Sequence, residues 1–344
     1  RGDLVSRVVV AVAPTRIDFA GGTLDIPPLY LFHQPALTIN VAINLCATVT
    51  VQERTGRGVR LSARDQDTQA FWASSSEIEW RQNRFLELVS RHLRSFAPLS
   101  GVEVITDCQA PAGAGTGGSS ALAVAATAAL ASLKKRRLAK PELIEYARAV
   151  ETQTIRVPTG YQDYYAAAYG GASVLEFGLT GIVRRPVATG KFLEELEHHL
   201  LLVYTGKPRF SGANNWQLFK RHISGDRKVF GFFERLKSNA VAMREAFLAR
   251  DLRGIAEVLN EDWAIRRAML PNMTTPLIDT LIRKSRRAGA FGARVCGAGG
   301  GGCVAFLADP TAQMGLKKLV AAHGARVLPC HVHRRGLTVR ETFV

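Results

Sequence analysis

The chain has 344 residues, 47% hydrophobic and 22% charged, ordinary proportions for a globular protein and enough to fill two domains around one cleft. No apolar run reaches bilayer-spanning length and the N-terminus lacks a signal-peptide pattern, so no membrane partner is expected and the expected location is cytoplasmic. The five cysteines are odd in number and lack a CxxC pair, which fits reduced thiols; the net charge of +16 points to anionic partners, and the spread of basic residues without a recognised module argues against nucleic acid.

In chain order, Val8 to Ala13 reads as a short β-branched strand. Pro14 and the Gly21-Gly22 pair break regular structure, which would display Arg16 and Asp25 on a loop, where the plain structural role for the two would be an ion pair. Pro35 to Glu53 reads as β-structure and Thr55 to Ser76 as a polar hairpin and surface excursion. Phe85, Leu88, Val89, Leu93 and Phe96 fall at helical spacing and are assigned to the core. Gly101 to Thr106 is a strand, followed by Pro111-Ala112-Gly113-Ala114-Gly115-Thr116-Gly117-Gly118-Ser119-Ser120. An Ala/Leu/Val run without Gly or Pro then continues to Leu133 as a buried helix.

Glycines at this strand-to-helix turn permit positive φ and close approach of a ligand to the main chain. The helix behind them offers unpaired N–H groups and a positive dipole end, which together suit a phosphate. Walker A is excluded because no Lys occurs before Lys134. The dinucleotide pattern is excluded because Lys134-Lys135-Arg136-Arg137 and a second helix, Pro141 to Val150, follow where a strand with an acidic tip is required.

Glu151 continues that helix. Pro158 to Tyr165 reads as a turn, Ala166 to Tyr169 follows it, and Gly170-Gly171 breaks the chain. Gly190 to His199 is a charged helix, Leu200 to Thr205 a strand, residues 226–270 two or three helices, and Leu277 to Ala288 an amphipathic helix. Gly297 to Gly302 forms a bare turn between two strands, able to approach a substrate closely. Cys330-His331-Val332-His333 reads as a strand with side chains on both faces rather than as a metal site. Gly178 to Gly190 is the expected seam between domains of residues 1–185 and 186–344.

Three of these segments resemble the three motifs of the GHMP kinase superfamily, in the family's order. The turn at Pro111 is similar to P-x-G-x-G-L-G-S-S, with Thr116 for Leu and Gly118 for Ser. The run Arg16-Ile17-Asp18-Phe19-Ala20-Gly21-Gly22-Thr23-Leu24-Asp25 resembles the first motif in the form found in the heptose 7-phosphate kinases. Gly297 to Gly302 keeps the third. Gly160-Tyr161-Gln162-Asp163-Tyr164 also resembles a heptose-kinase run, with Tyr164 in place of Gln, and Thr205-Gly206-Lys207-Pro208-Arg209 resembles a sugar-kinase signature.

The resemblance implies an α/β (α+β) fold, with an N-terminal domain like ribosomal S5 domain 2 and a ferredoxin-like C-terminal domain. It implies ATP and Mg²⁺ as cofactors. Pro111, Gly113, Ala114, Gly115, Gly117, Gly118, Ser119 and Ser120 would bind ATP; Ser119, Ser120 and Glu151 would hold the metal. Asp163 would orient the acceptor hydroxyl or take its proton, with Arg16 beside it and the transferred phosphoryl group. Gly21, Gly22, Thr23, Asp25, Asp163, Arg209, Gly299 and Gly300 would bind the substrate. The implied activity is a kinase acting on the anomeric hydroxyl of D-glycero-D-manno-heptose 7-phosphate; a fucose- or galactose-type sugar kinase and a non-catalytic sugar-binding homologue are the alternatives. The implied partner is a small sugar or sugar phosphate, and a homodimer is compatible with it.

Overall fold

The computed structural model describes residues 6–208 and 212–344. In chain order its elements are β1 (Arg7–Ala20), α1 (Leu29–Phe32), β2 (Ala36–Glu53), β3 (Val59–Ala63), β4 (Thr68–Trp72), α2 (Glu87–Ser95), β5 (Val102–Cys108), α3 (Gly118–Leu133), α4 (Lys140–Ile155), α5 (Gln162–Tyr169), β6 (Ala172–Gly178) and β7 (Gly181–Ala188). There follow α6 (Gly190–His199), β8 (Leu200–Tyr204), α7 (Gly212–Ile223), α8 (Arg227–Leu248), α9 (Leu252–Met269), α10 (Pro276–Arg287), β9 (Ala290–Val295), β10 (Cys303–Ala308), α11 (Gln313–Ala322), β11 (Arg326–Leu328) and β12 (Thr338–Phe343). No helix among the described residues is long and apolar enough to cross a membrane.

The strands form two sheets. In the first, β12-β1-β2-β5-β3-β4 lie side by side, and β6 pairs with β2 and carries β7. The length of β2 allows this branching: its first half pairs with β6 and its second with β5. The second sheet has the order β11-β8-β10-β9, antiparallel throughout. Numbered from its own first strand that order is 4-1-3-2, as expected for a ferredoxin-like layer. α3 is apolar on nearly every side, and a helix of that kind must be buried on every side. It lies against β1, β2, α2, α4 and α5, with its alanines from Ala121 to Ala131 buried.

One apolar cluster runs between the two layers, joining Ile17, Phe19 and Ile39 of the first sheet to Leu202, Phe247, Leu259 and Ala305 of the second half. Phe19 meets Phe247 edge-on with ring centroids 5.5 Å apart. The walls of the cleft are therefore held on a shared core. A division at residue 185 falls inside β7, and β12 returns to the first sheet beside β1, so the sheets do not part the chain at a single point.

Several boundaries differ from the sequence expectation. β1 does not stop at Pro14 but continues to Ala20, so Arg16 sits on a strand and only Asp25 on a loop. The missing N–H of Pro14 falls where the register with β2 shifts, a bulge that tolerates it. The turn after Pro158 ends at Tyr161, because the Asp25 carboxylate accepts the Tyr161 and Gln162 N–H groups at 2.7 and 2.9 Å and so opens α5 there. α4 runs on to Ile155, past Glu151. Phe85 is 43% exposed and outside the core, under the Arg84 guanidinium. α7 has no counterpart in the sequence expectation. In the Cys330–His333 segment a single bridge, Val332 to Ile43, replaces the expected strand.

Candidate active site

The turn at Pro111 carries positive φ at Gly113, Gly115 and Gly117 (70°, 80° and 76°). These bends bring the chain into α3 with Gly117 as its N-cap, a residue with no side chain to occupy the first N–H groups of the helix. The open N-terminus is the part of the turn that fits a phosphate. Ala114 is different from what its place in the motif suggests. Its N–H bonds to Pro111 O at 2.9 Å and its carbonyl accepts Cys303 N at 2.8 Å. Pro111 and Ala114 therefore offer no backbone donor to a ligand, and serve to dock the first glycine turn on the second. A Cβ on Gly302 would lie 2.6 Å from Ala114 O and 2.8 Å from Gly113 O, so this contact requires glycine at 302.

Arg16 and Asp163 meet beside this turn. The Arg16 guanidinium donates to Asp163 Oδ1 from Nε at 2.8 Å, with Nη2 2.6 Å from the same oxygen, and from Nη1 to Gly115 O at 2.7 Å. Burial disfavours the Arg16 charge, but Asp163 and then Asp18 outweigh it and raise its pKa. Asp163 stands in the first turn of α5, with Oδ2 facing Gly117: a Cβ there would be 3.0 Å away.

Glu151 is the second acid of the cleft and is 5% exposed. Tyr164 donates from Oη to its Oε2 at 2.6 Å, and the Ser119 and Ser120 hydroxyls lie near enough to favour its charged form. Burial raises its pKa, the Tyr164, Ser119 and Ser120 hydroxyls oppose that, and Asp163 adds to it. A buried carboxylate beside hydroxyl groups is a fitting donor set for a hard, oxygen-seeking cation. Ser120 is buried and lines the cleft, whereas Ser119 is exposed.

The opposite wall comprises Gly22, Thr23, Asp25, Gln162, Asn215, Arg266, Gly297 and Ala298. Thr23 is held at φ 81°, unusual for a β-branched residue, with its N–H on Asp25 Oδ1 at 3.1 Å and its hydroxyl on Asn215 Oδ1 at 3.2 Å. Asp25 does not stand free to receive a sugar. It is buried and spends its oxygens on the three N–H groups of Thr23, Tyr161 and Gln162. Burial lifts its pKa to about 6, against the pull of those N–H groups.

Three further expectations are corrected by packing. A Cβ on Gly21 would sit 2.0 Å from Leu37 O, so that glycine fits the turn against β2. Gly299 and Gly300 abut Met273 O and Asn272 O, where a Cβ would approach to 2.5 and 2.8 Å; the cleft is met instead by Gly297 and Ala298. Arg209 lies outside the described residues.

Beneath the cleft lies an ionic cluster that sequence reasoning missed. Arg294 of β9 donates to Asp18 of β1 from Nη1 at 3.1 Å and Nη2 at 2.5 Å, and its Nε is 3.3 Å from Asp262 Oδ2. Asp262 also accepts from Arg266 Nε at 2.7 Å, and Arg266 Nη2 donates to Gly22 O at 2.6 Å. Burial alone would raise the Asp18 pKa, but Arg294, Arg266 and Arg16 hold it below the ordinary range. The cluster bonds the first sheet to β9 and α9 and fixes the carbonyl at the cleft wall. Gln162 was also missed: its side-chain Oε1 is buried in the cleft lining with no hydrogen-bond partner among the described residues.

An open helix N-terminus, a buried carboxylate beside hydroxyl groups and an arginine-held aspartate lie together at one cleft, and that combination suits a small-molecule phosphotransferase. Comparison with known proteins agrees. Residues 83–171 match the GHMP kinases N terminal domain and residues 243–321 the GHMP kinases C terminal domain. A D-glycero-alpha-D-manno-heptose 7-phosphate kinase of Campylobacter jejuni is 26% identical over 311 residues, covering 89% of this chain and 91% of that protein. The bifunctional fucokinase/GDP-fucose pyrophosphorylase of Arabidopsis thaliana is 26% identical over 86% of this chain but only 29% of its own length. The structure described as a D-glycero-D-manno-heptose 1-phosphate kinase from Bacteriodes thetaiotaomicron superposes with a TM-score of 0.78 at 23% identity, covering 96% of this chain and 98% of that one, and shares the fold. The chain belongs to the GHMP kinases, enzymes that phosphorylate small molecules with ATP.

Proposed function

We propose that the chain is a cytoplasmic kinase that transfers the γ-phosphoryl group of ATP to the anomeric hydroxyl of D-glycero-D-manno-heptose 7-phosphate. The reading is supported by the heptose-kinase relative that spans almost the whole chain. The observation that carries the chemistry is the Arg16–Asp163 pair set directly against the glycine turn.

Phosphoryl transfer asks for alignment and charge neutralisation more than for covalent help. The N–H groups at the start of α3, from Gly118 to Ser120, would hold the phosphates of ATP. Mg²⁺ would be held by Ser120 and Glu151, with Ser119 at the exposed side, and when bound it neutralises charge on the phosphate oxygens. Asp163 orients the acceptor hydroxyl and takes its proton through Oδ2, because Arg16 already occupies Oδ1. Arg16 also stabilises negative charge on the group in transfer. The sugar hydroxyls meet Gln162 Oε1, Thr23 and Asn215, while Asp25 shapes that wall by capping α5.

ADP release with Mg·ATP, measured against heptose 7-phosphate, fucose, galactose and mevalonate, tests this reading. Heptose 7-phosphate should give the highest kcat/KM, and Asp163→Asn should cost about 10²- to 10⁴-fold in kcat. A higher kcat/KM with fucose or galactose would replace the substrate and keep the enzyme; turnover unaffected by Asp163→Asn would remove the mechanism.

A further inference from the structure

Glu151 and Tyr164 come from neighbouring helices, α4 and α5, and meet in a fully enclosed position, Tyr164 being 1% exposed. The phenol has one proton, and the 2.6 Å contact to Glu151 Oε2 claims it. The phenol oxygen is then an acceptor, and Thr159 Oγ1 lies 3.3 Å away to supply a proton. Thr159 Oγ1 is in turn 3.1 Å from Thr152 Oγ1. When Thr159 donates to the phenol oxygen, Thr152 donates to Thr159, and the chain of hydroxyls ends on one oxygen of the carboxylate. Such a directed chain polarises each member and locks the last one in place.

Resting on the reading of Glu151 as a metal-holding residue, we infer that Tyr164 is a positioning residue that limits Glu151 to one-oxygen ligation and thereby favours Mg²⁺ over Ca²⁺. With Oε2 holding the phenol proton, Oε1 is the oxygen without a Tyr164 contact, and a cation that took Oε2 as well would have to compete with that bond. Mg²⁺ accepts single carboxylate oxygens at octahedral positions and keeps several waters. Ca²⁺ is larger, takes more oxygens and commonly binds a carboxylate through both. Fixing one oxygen therefore weakens a ligand that Ca²⁺ would use and Mg²⁺ does not need. The same restriction holds the carboxylate in one rotamer, which saves ordering cost when the metal arrives.

The test is metal binding rather than turnover. Mn²⁺ binding to the full chain with a non-hydrolysable ATP analogue is followed by electron paramagnetic resonance, and Mg²⁺ and Ca²⁺ are titrated as competitors. In Tyr164→Phe the ratio of Mg²⁺ to Ca²⁺ affinity should fall about tenfold or more, the range seen when partners that orient a metal ligand are removed. An unchanged ratio in a folded Tyr164→Phe protein overturns the inference. Glu151→Gln in the same assay separates it from the underlying reading: if that variant binds Mn²⁺ as the wild type does, Glu151 holds no metal. If Glu151→Gln loses Mn²⁺ and Tyr164→Phe keeps its selectivity, only the role of Tyr164 fails. Should Tyr164→Phe not fold, a crystal structure of the wild type with Mg²⁺ and the analogue decides: one Glu151 oxygen on the metal and the other on Tyr164 supports the inference, and both oxygens on the metal overturns it.

Discussion

Replacing Gly117 with alanine measures what the placement of Asp163 is worth to turnover. Two costs are expected. The first is backbone strain, since φ is 76° at this residue and alanine in the left-handed region costs about 1–2 kcal/mol. The second is contact: the new Cβ would lie 3.0, 3.1 and 3.3 Å from Oδ2, Cγ and Cβ of Asp163. Ordinary carbon contacts are near 3.5–4.0 Å, so the carboxylate must retreat by roughly half an ångström. It cannot do so freely, because Arg16 holds Oδ1 through two nitrogens. Gly324 provides a matched control, with φ 73° and nothing within 4 Å of the point where a Cβ would stand. Gly324→Ala should lower stability by about 1–2 kcal/mol in urea titrations, and Gly117→Ala by at least as much. Only Gly117→Ala should lower kcat, by about a hundredfold, the scale of a misplaced reactive group; Gly324→Ala should stay within about twofold. If Gly117→Ala turns over like Gly324→Ala, the position of Asp163 does not govern the reaction.

Other outcomes follow from the same geometry. Arg294→Met leaves Asp18 and Asp262 buried without their shared cation and should destabilise the fold by about 3–5 kcal/mol in chemical denaturation; a loss below about 1 kcal/mol would show that the cluster contributes little. Asp25 has its folded pKa raised by burial from 3.8 to about 6. Its stabilising contribution is complete below pH 4 and is lost as pH rises through 6, by about 3 kcal/mol. Relative to Asp25→Asn, the wild type should therefore weaken between pH 4 and pH 7 in urea titrations, and parallel pH profiles would contradict the burial argument. Ser120→Ala should reduce Mn²⁺ affinity by about tenfold, while Ser119→Ala should change it by less than about threefold, since Ser120 is enclosed in the cleft and Ser119 is exposed.

The features legible in the sequence were those with a local cause. Glycines between a strand and an alanine-rich helix can do little except make an open helix mouth, and the structure has one at Gly117. The pairing of Arg16 with Asp163, implied by family resemblance, is also present. What could not be read was whatever depends on distant partners. Arg294 and Asp18 are 276 residues apart in the chain. Their only trace is an arginine within the otherwise apolar strand Ala290–Val295, where a charge must find a counter-charge. Asp25 has the right chemistry to meet a sugar, and only the arrival of α5 beside it shows that its oxygens are already taken. Gly299 and Gly300 belong to an unmistakable motif, yet their space is filled by the backbone at Asn272 and Met273.

The return of β12 to the edge of β1 also bears on how the protein is made. Ser6 and Val344 exchange backbone hydrogen bonds at 2.6 and 2.9 Å, so the earliest and latest described residues close the same seam. During synthesis the outer edge of β1 stays uncovered while the whole ferredoxin-like layer is still being translated. An unpaired edge of that length is a site for wrong pairing with other nascent chains. A truncated product that stops after β11 would keep every residue of the cleft and still be prone to aggregate.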